Sequence, residues 1–330
     1  MAHPIRPPSF IEINNFYTAT VYEKGAEVVR MLHTLLGDAD FRAGTDCYFD
    51  RHDGEAVTTE DFVKALEAAS GRDLTQFRRW YEQAGTPVVT ASGEYVADQE
   101  TYRLTLSQHT PATPGQPDKA PLHMPITVGL IGPDGQDLAF EGAEVRHDGN
   151  SLSQVLSLTE AEQVFELKGV PQAPLPSIAR GFSAPIKLSM DYSVDELAFL
   201  CRSDSDPFNR WEAGQRLAVL AIDAVQSQLA KGETPVVMPQ LIEVQQHHLD
   251  AALHHAGDPA FDSEMVSLLL SLPSIQYLIE LQTEVDVLQL LAARDLVRLS
   301  LAEALSVSFS AVYQAYHALT PFELTAQAVG

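Results

Sequence analysis

The chain has 330 residues, room for two or three domains, and 45% of them are hydrophobic, so a disordered segment is excluded as its main state. Against 21 Lys and Arg stand 45 Asp and Glu, a formal net charge of −24, which argues against nucleic-acid or membrane binding through a broad basic face. The two cysteines, Cys47 and Cys201, exclude a disulfide framework, and the chain lacks both the ~18-residue apolar run of a membrane span and the apolar core of a signal peptide. A cytoplasmic location is the expectation.

Residues 1–85 read as helical after a proline-marked entry. Thr20-Val21-Tyr22-Glu23 has the form of a capping box, with Glu23 three residues beyond the cap threonine. Val21, Val28, Leu32, Leu35 and Leu36 then follow a helical stripe, and Gly37 supplies a stop. A second helix is expected over 59–70, opened by Thr58-Thr59 with Glu60 and Asp61 in its first turn and closed by Gly71. A third, short helix holds Leu74, Phe77, Trp80 and Tyr81, and Gly85-Thr86-Pro87 ends the region.

Residues 86–186 change period from 3.6 to 2. Tyr102, Leu104 and Leu106 alternate with polar neighbours, as do Ile126, Val128 and Leu130. Gly132-Pro133-Asp134-Gly135 is turn chemistry, and 155–158 and 164–167 are further strand candidates. Short strands separated by turns predict an antiparallel β-sandwich, with the Pro-rich stretch 110–121 as one of its loops.

Residues 187–330 return to helix. Asp206-Pro207 places a proline at the first helical position, followed by Trp211, Leu217, Leu220 and Ile222. Leu-rich helices separated by Gly232, Gly257-Asp258-Pro259 and Pro273 predict consecutive hairpins of a helical solenoid. The fold class is therefore α+β and multidomain.

Searches for familiar chemistry return little. There is no Walker loop, no dinucleotide glycine fingerprint and no His-Glu-x-x-His. Gly181-Phe182-Ser183-Ala184-Pro185 lacks the last glycine of a hydrolase elbow. Asp50-Arg51-His52-Asp53-Gly54 fails as a calcium loop at His52 and Gly54. His247, His248, His254 and His255 repeat at seven, two helical turns or about 10.5 Å apart, too far for one metal; they read as a solvated polar face. Tyr17 and Tyr22 stand out as aromatics at a helix start. Packing at the helix start is their default reading. A phenol is also a neutral donor at pH 7, suited to an oxyanion.

The residues from Ile11 to Met31, with Asn14, Tyr17 and Thr20-Val21-Tyr22-Glu23-Lys24-Gly25 inside them, resemble the bacterial aminopeptidase N family of gluzincin zinc peptidases. The resemblance continues through Phe49-Asp50-Arg51-His52-Asp53-Gly54, Phe77-Arg78-Arg79-Trp80-Tyr81, Gly85-Thr86-Pro87 and Thr110-Pro111-Ala112-Thr113-Pro114. It reaches Phe182-Ser183-Ala184-Pro185 and Phe208-Asn209-Arg210-Trp211 and weakens in the C-terminal helices.

That resemblance implies three parts: the C-terminal helices of a thermolysin-like catalytic domain (1–85), an Ig-like β-sandwich (86–186) and the start of a helical superhelix (187–330). It implies that Tyr22 matches the tyrosine that hydrogen-bonds the oxyanion of the tetrahedral intermediate. Asn14 and Tyr17 match positions lining the substrate pocket, while Glu23 is sufficiently explained as a cap. The family enzyme uses zinc, held by His-Glu-x-x-His and a later Glu, and grips the substrate amine with Gly-Ala-Met-Glu-Asn; neither motif occurs in this sequence. No metal ligand transfers, and none is expected for this chain alone.

The resemblance further implies that Met1 matches an internal methionine, so the chain is expected to be a truncated product or a gene with a divergent start. The whole enzyme would release N-terminal residues, small or basic ones preferred, from peptide substrates, and the 330 residues alone are expected to be inactive. Lost partner layers predict self-association or low stability of the isolated chain. The alternative is a non-catalytic β-sandwich and solenoid serving as an interaction module. An upstream reading frame encoding His-Glu-x-x-His would favour the first reading, and a genuine promoter at Met1 the second.

Overall fold

In the computed structural model, which describes residues 3–142, 146–147 and 152–317, the chain divides into two compact units, 1–191 and 192–330. In the first unit, α1 (Gly25–Leu36), α2 (Asp38–His52), α3 (Thr59–Ser70) and the single turn α4 (Arg79–Glu82) precede the strands, of which nine lie among the described residues. Thr58 and Asp61 cap α3 reciprocally and Gly71 ends it in the left-handed region at φ 69°, as the residue types require. Gly37, at φ 80°, separates α1 from α2. Helix α2 was not expected: among its residues only Gly44 is buried, so no apolar stripe announces it. Gly44 lets it approach α3, because a Cβ there would stand 3.1 Å from Leu66 Cα.

The strands are β1 (Val88–Val96), β2 (Thr101–His109), β3 (Met124–Ile131), β4 (Asp137–Leu138), β5 (Arg146–His147), β6 (Gln154–Leu158), β7 (Glu162–Lys168), β8 (Leu175–Ile178) and β9 (Lys187–Ser189). One sheet runs β7-β2-β1-β9, and in the other β3 pairs with β4, β6 and β8, with β5 beyond β6. Pairing is antiparallel except between β1 and β9, which run parallel with Val88 opposite Lys187. Strand β9 lies in the segment that the sequence reading gave to the helices.

Strand β2 buries Tyr102, Leu104 and Leu106 in alternation, as half-covered strands do, whereas β3 is buried at every position. The reason is that α1 packs on β3 and β6, covering what would be an outer face of the sandwich. Val28, Met31, Leu32, Leu35 and Leu36 of α1 accordingly share one core with Trp80, Phe77 and the strand residues Met124, Ile126 and Val128. Each such side chain is worth about 1.5–3 kcal/mol when fully buried. The helices and the sandwich thus share one hydrophobic core, with α1 seated on β3 and β6.

The loop after β8 reinforces that seat. Ala179, Gly181 and Phe182 all adopt left-handed backbone, at φ 60°, 60° and 52°, which costs non-glycine residues energy. Arg30 of α1 holds the loop, donating to the carbonyls of Gly181 (2.7 Å) and Phe182 and lying over the Phe182 ring. From the other side the buried Arg180 is bidentate to Asp137, at 3.0 and 2.8 Å.

The second unit contains α5 (Val194–Ser203), α6 (Pro207–Ala230), α7 (Pro239–His254), α8 (Ser263–Leu269), α9 (Ile275–Leu281), α10 (Val287–Ala304) and α11 (Ser306–His317). Asp206 caps α6 by accepting from the Asn209 amide, with Pro207 at the first position as expected. Helix α6 packs on α5, α7, α8 and α10, and α7 on α5, α8 and α11. The histidine reading needs one correction. His247, His254 and His255 are exposed, but His248 is only 1% exposed, because it faces α5 rather than solvent. No single helix among the described residues is long and apolar enough to cross a membrane.

Candidate functional site

The residues singled out in the sequence fall on the short run that leads into α1. Ile13–Phe16 forms one 3-10 turn, closed by the Asn15 carboxamide, which accepts from the amides of Ile11 and Glu12 at 3.1 Å. Asn14 lies in this turn, exposed, and its carbonyl accepts from the Tyr17 amide. The chain then enters α1 through a single π turn, Thr20–Lys24.

This corrects the expected capping box at Thr20. Thr20 is buried inside the π turn, and the cap role passes to Thr18, whose hydroxyl oxygen accepts from the Val21 amide at 3.2 Å. His3 completes the motif. Its Nδ1 lies 2.8 Å from the Pro4 carbonyl, which can only accept, so Nδ1 carries the proton. Nε2 then accepts from the Thr18 hydroxyl at 3.1 Å.

The π turn sorts its residues sharply. Thr20 and Lys24 point inward, while Tyr22 and Glu23 point out. Tyr22 is 56% exposed and Tyr17 66%, and their rings stack with centroids 5.8 Å apart and planes 18° apart. Among the described residues no protein group bonds either phenol hydroxyl, so both are available to a ligand. Phe10, Ile11 and Ile13 are exposed beside them in sequence, an apolar margin to the two tyrosines. π turns are rare and recur at functional sites, because the extra residue aims side chains that a regular helix would not.

Lys24 is the residue that the sequence reading passed over. It is 3% exposed, donates from Nζ to the Gly85 carbonyl at 2.8 Å and sits 5.5 Å from the centre of the Trp80 ring. Trp80 is itself fully buried and fixed by donating from Nε1 to the His123 carbonyl. Next to it Lys119 bonds the Ala84 carbonyl at 2.9 Å. Burial first, and the nearby Lys119 ammonium second, bring the Lys24 pKa down to about 8. A signal was present: Lys24 lies four residues after Thr20 and four before Val28, on the stripe that α1 buries.

What the arrangement offers chemically is a solvent-facing phenol donor, on a turn whose inward residues are buried, with a second phenol stacked on it. It does not offer a metal centre. Among the described residues no group of three or more His, Cys, Asp or Glu side chains is placed to hold a metal ion.

Comparison with known proteins places the chain among peptidases. Residues 1–81 match the Peptidase family M1 domain, 85–191 a domain of unknown function with an Ig-like fold, and 194–330 its C-terminal companion described as ARM repeats. Aminopeptidase N of Escherichia coli is 42% identical over 96% of the chain, and that of Haemophilus influenzae 41% over 99%. The chain covers 35% and 36% of those proteins, about a third of their length. Among solved structures, Legionella pneumophila aminopeptidase A in complex with aspartic acid superposes with a TM-score of 0.81 at 26% identity, over 98% of this chain and 35% of that one. The run that carries Tyr22, the sandwich and the helical repeats therefore follow one another here as they do in these relatives, and the chain is similar to aminopeptidase N over nearly its whole length while spanning about a third of those proteins.

Proposed function

We propose that the chain forms part of an exopeptidase that releases N-terminal amino acids from peptides, with Tyr22 as its oxyanion donor and Asn14 and Tyr17 facing the substrate. The observation that carries the reading is the Tyr22 hydroxyl itself, exposed and unbonded by protein among the described residues, on a π turn fixed from beneath. When water adds to a peptide carbonyl, negative charge gathers on the carbonyl oxygen. A prepositioned phenol donates more strongly to that oxyanion than to the ground-state carbonyl, which lowers the barrier. Family enzymes use zinc to activate the water. The described residues of this chain do not fit a zinc ion, so no step is assigned to one here.

The reading takes peptides as substrates and a cytoplasmic location, supported by two free cysteines. It also takes the isolated chain to self-associate, supported by the exposed Ile11, Leu288 and Val307; a monomer by sedimentation at high concentration would contradict that. Two assays test the catalytic claim. The 330-residue chain should not turn over alanyl-p-nitroanilide, and chelator-sensitive turnover would overturn this. In a longer protein joining the chain to a segment with His-Glu-x-x-His, Tyr22→Phe should lower kcat by about 10²–10³, the loss known for one oxyanion-hole donor. KM should change far less. A near-normal kcat would return Tyr22 to a packing role.

A further inference from the structure

We propose that Lys24 is the positioning residue for Tyr22: its buried ammonium, clamped between the Gly85 carbonyl and the Trp80 ring, holds the π register that aims the Tyr22 hydroxyl. The inference rests on the reading of Tyr22 as the oxyanion donor and names the residue on which that aim depends.

The argument starts from an oddity of placement. A lysine 3% exposed is rare unless it is paired, and among the described residues no carboxylate pairs with this one. Its partners are one carbonyl at 2.8 Å and one aromatic face, with a second ammonium, Lys119, bonded to the adjacent carbonyl of Ala84. Replacing a buried charge with a well-packed apolar side chain is often neutral or stabilising, so stability alone does not account for a cation here. Direction does. A methionine or leucine would fill the space without fixing where the backbone of residue 24 sits, whereas a donor bound to Gly85 ties it to a point.

That point matters because the turn has a neighbouring alternative. The π turn Thr20–Lys24 holds one residue more than an α-helical turn, and α1 continues from it with Gly25. Closing it to α register would rotate everything before the bulge by about 100° around the helix axis, one residue's worth of a 3.6-residue turn. Tyr22 lies inside the segment that would move. The far side of the clamp is fixed: Trp80 is locked to His123, and Gly85 has φ 96° with Thr110 Cγ2 3.2 Å from where a Cβ would be. Beyond the turn, α1 is held by its seat on β3 and by Arg30. Lys24 links the fixed body to the π turn itself.

The test has one readout free of activity and one within it. In the 330-residue chain with 3-fluorotyrosine incorporated, Lys24→Met should shift or broaden the ¹⁹F resonance assigned to Tyr22 and leave that of Tyr313 in place. An unchanged Tyr22 resonance overturns the proposal whatever the kinetics show. In the longer protein, Lys24→Met should lower kcat by up to about 10²-fold, the cost of a misplacement of about 1 Å, with KM little altered. In a Tyr22→Phe background the same substitution should add almost nothing, because both act through one hydroxyl. Full additivity overturns the proposal while leaving the Tyr22 reading intact, and a harmless Tyr22→Phe overturns that reading by itself. Should Lys24→Met fail to fold, Lys24→Gln, with a neutral and shorter donor, carries the same comparisons.

Discussion

Two pairs of reactive side chains lie in different units of this chain, and they have opposite fates. In the helical unit the Cys201 thiol lies 3.4 Å from His248 Nε2, a pairing that on paper suggests a nucleophile and its base. Both residues are sealed, at 0% and 1% exposure. Burial pushes the thiol up to about 12 and the imidazole down to about 3, so each is held neutral and neither can begin the chemistry. In the first unit Tyr17 and Tyr22 stack in solvent on a turn whose underside is buried. Residue type alone favours Cys201 and His248; access and mounting favour the tyrosines.

The sharpest way to break this contrast is to remove one group from each region. Tyr22→Phe in the longer protein should cost about 10²–10³ in kcat, whereas Cys201→Ala should leave turnover unchanged. Equal losses would dissolve the distinction. The next test uses acid. The folded pKa of His248 lies below its ordinary 6.5, so between about 6.5 and 3 the unfolded chain binds a proton that the native one refuses. Stability of the helical unit should therefore be whole above pH 6.5 and fall as pH drops towards 3. Trp211 is the tryptophan of that unit, so its fluorescence in a Trp80→Phe background reads the effect, and His248→Leu should remove this component.

Lys24 gives the mirror case at alkaline pH. Its folded pKa of about 8 lies below the ordinary 10.5, so the unfolded state holds the extra proton between those values. The burial penalty is fully present below pH 8 and is relieved as pH rises towards 10.5. Wild type should thus gain stability relative to Lys24→Met across that window, and a constant difference would contradict the buried-cation account. The mildest probe is thiol labelling. Partly exposed Cys47 should react with a thiol reagent in the native chain, while Cys201 should react only after unfolding.

Much of this was legible beforehand, where residue types carry a local geometric demand. Thr58, Asp61 and Gly71 bound α3, and Tyr102, Leu104 and Leu106 declare a half-covered strand. Helix α2 was not legible, because a helix burying little more than Gly44 needs no apolar stripe. Complete burial of β3 was equally hidden, since it depends on α1 arriving from a distant part of the sequence. His247 and His248 are adjacent, and only packing against α5 decides that the second is sealed. At the site the sequence pointed to Asn14, Tyr17 and Tyr22 but read a capping box where the chain makes a π turn. Beneath that turn Lys24 meets Gly85 and Trp80, residues up to 61 positions apart, and no local pattern brings them together.

The central claim is that Tyr22 acts on the transition state and not on the bound substrate. The most direct measurement compares inhibition of the longer protein by a tetrahedral phosphinic dipeptide analogue and by a planar, non-cleaved dipeptide, in wild type and Tyr22→Phe. The account predicts that the substitution weakens the tetrahedral analogue in step with the fall in kcat/KM and leaves binding of the planar ligand almost unchanged. Equal weakening of both ligands, or of neither, would contradict it.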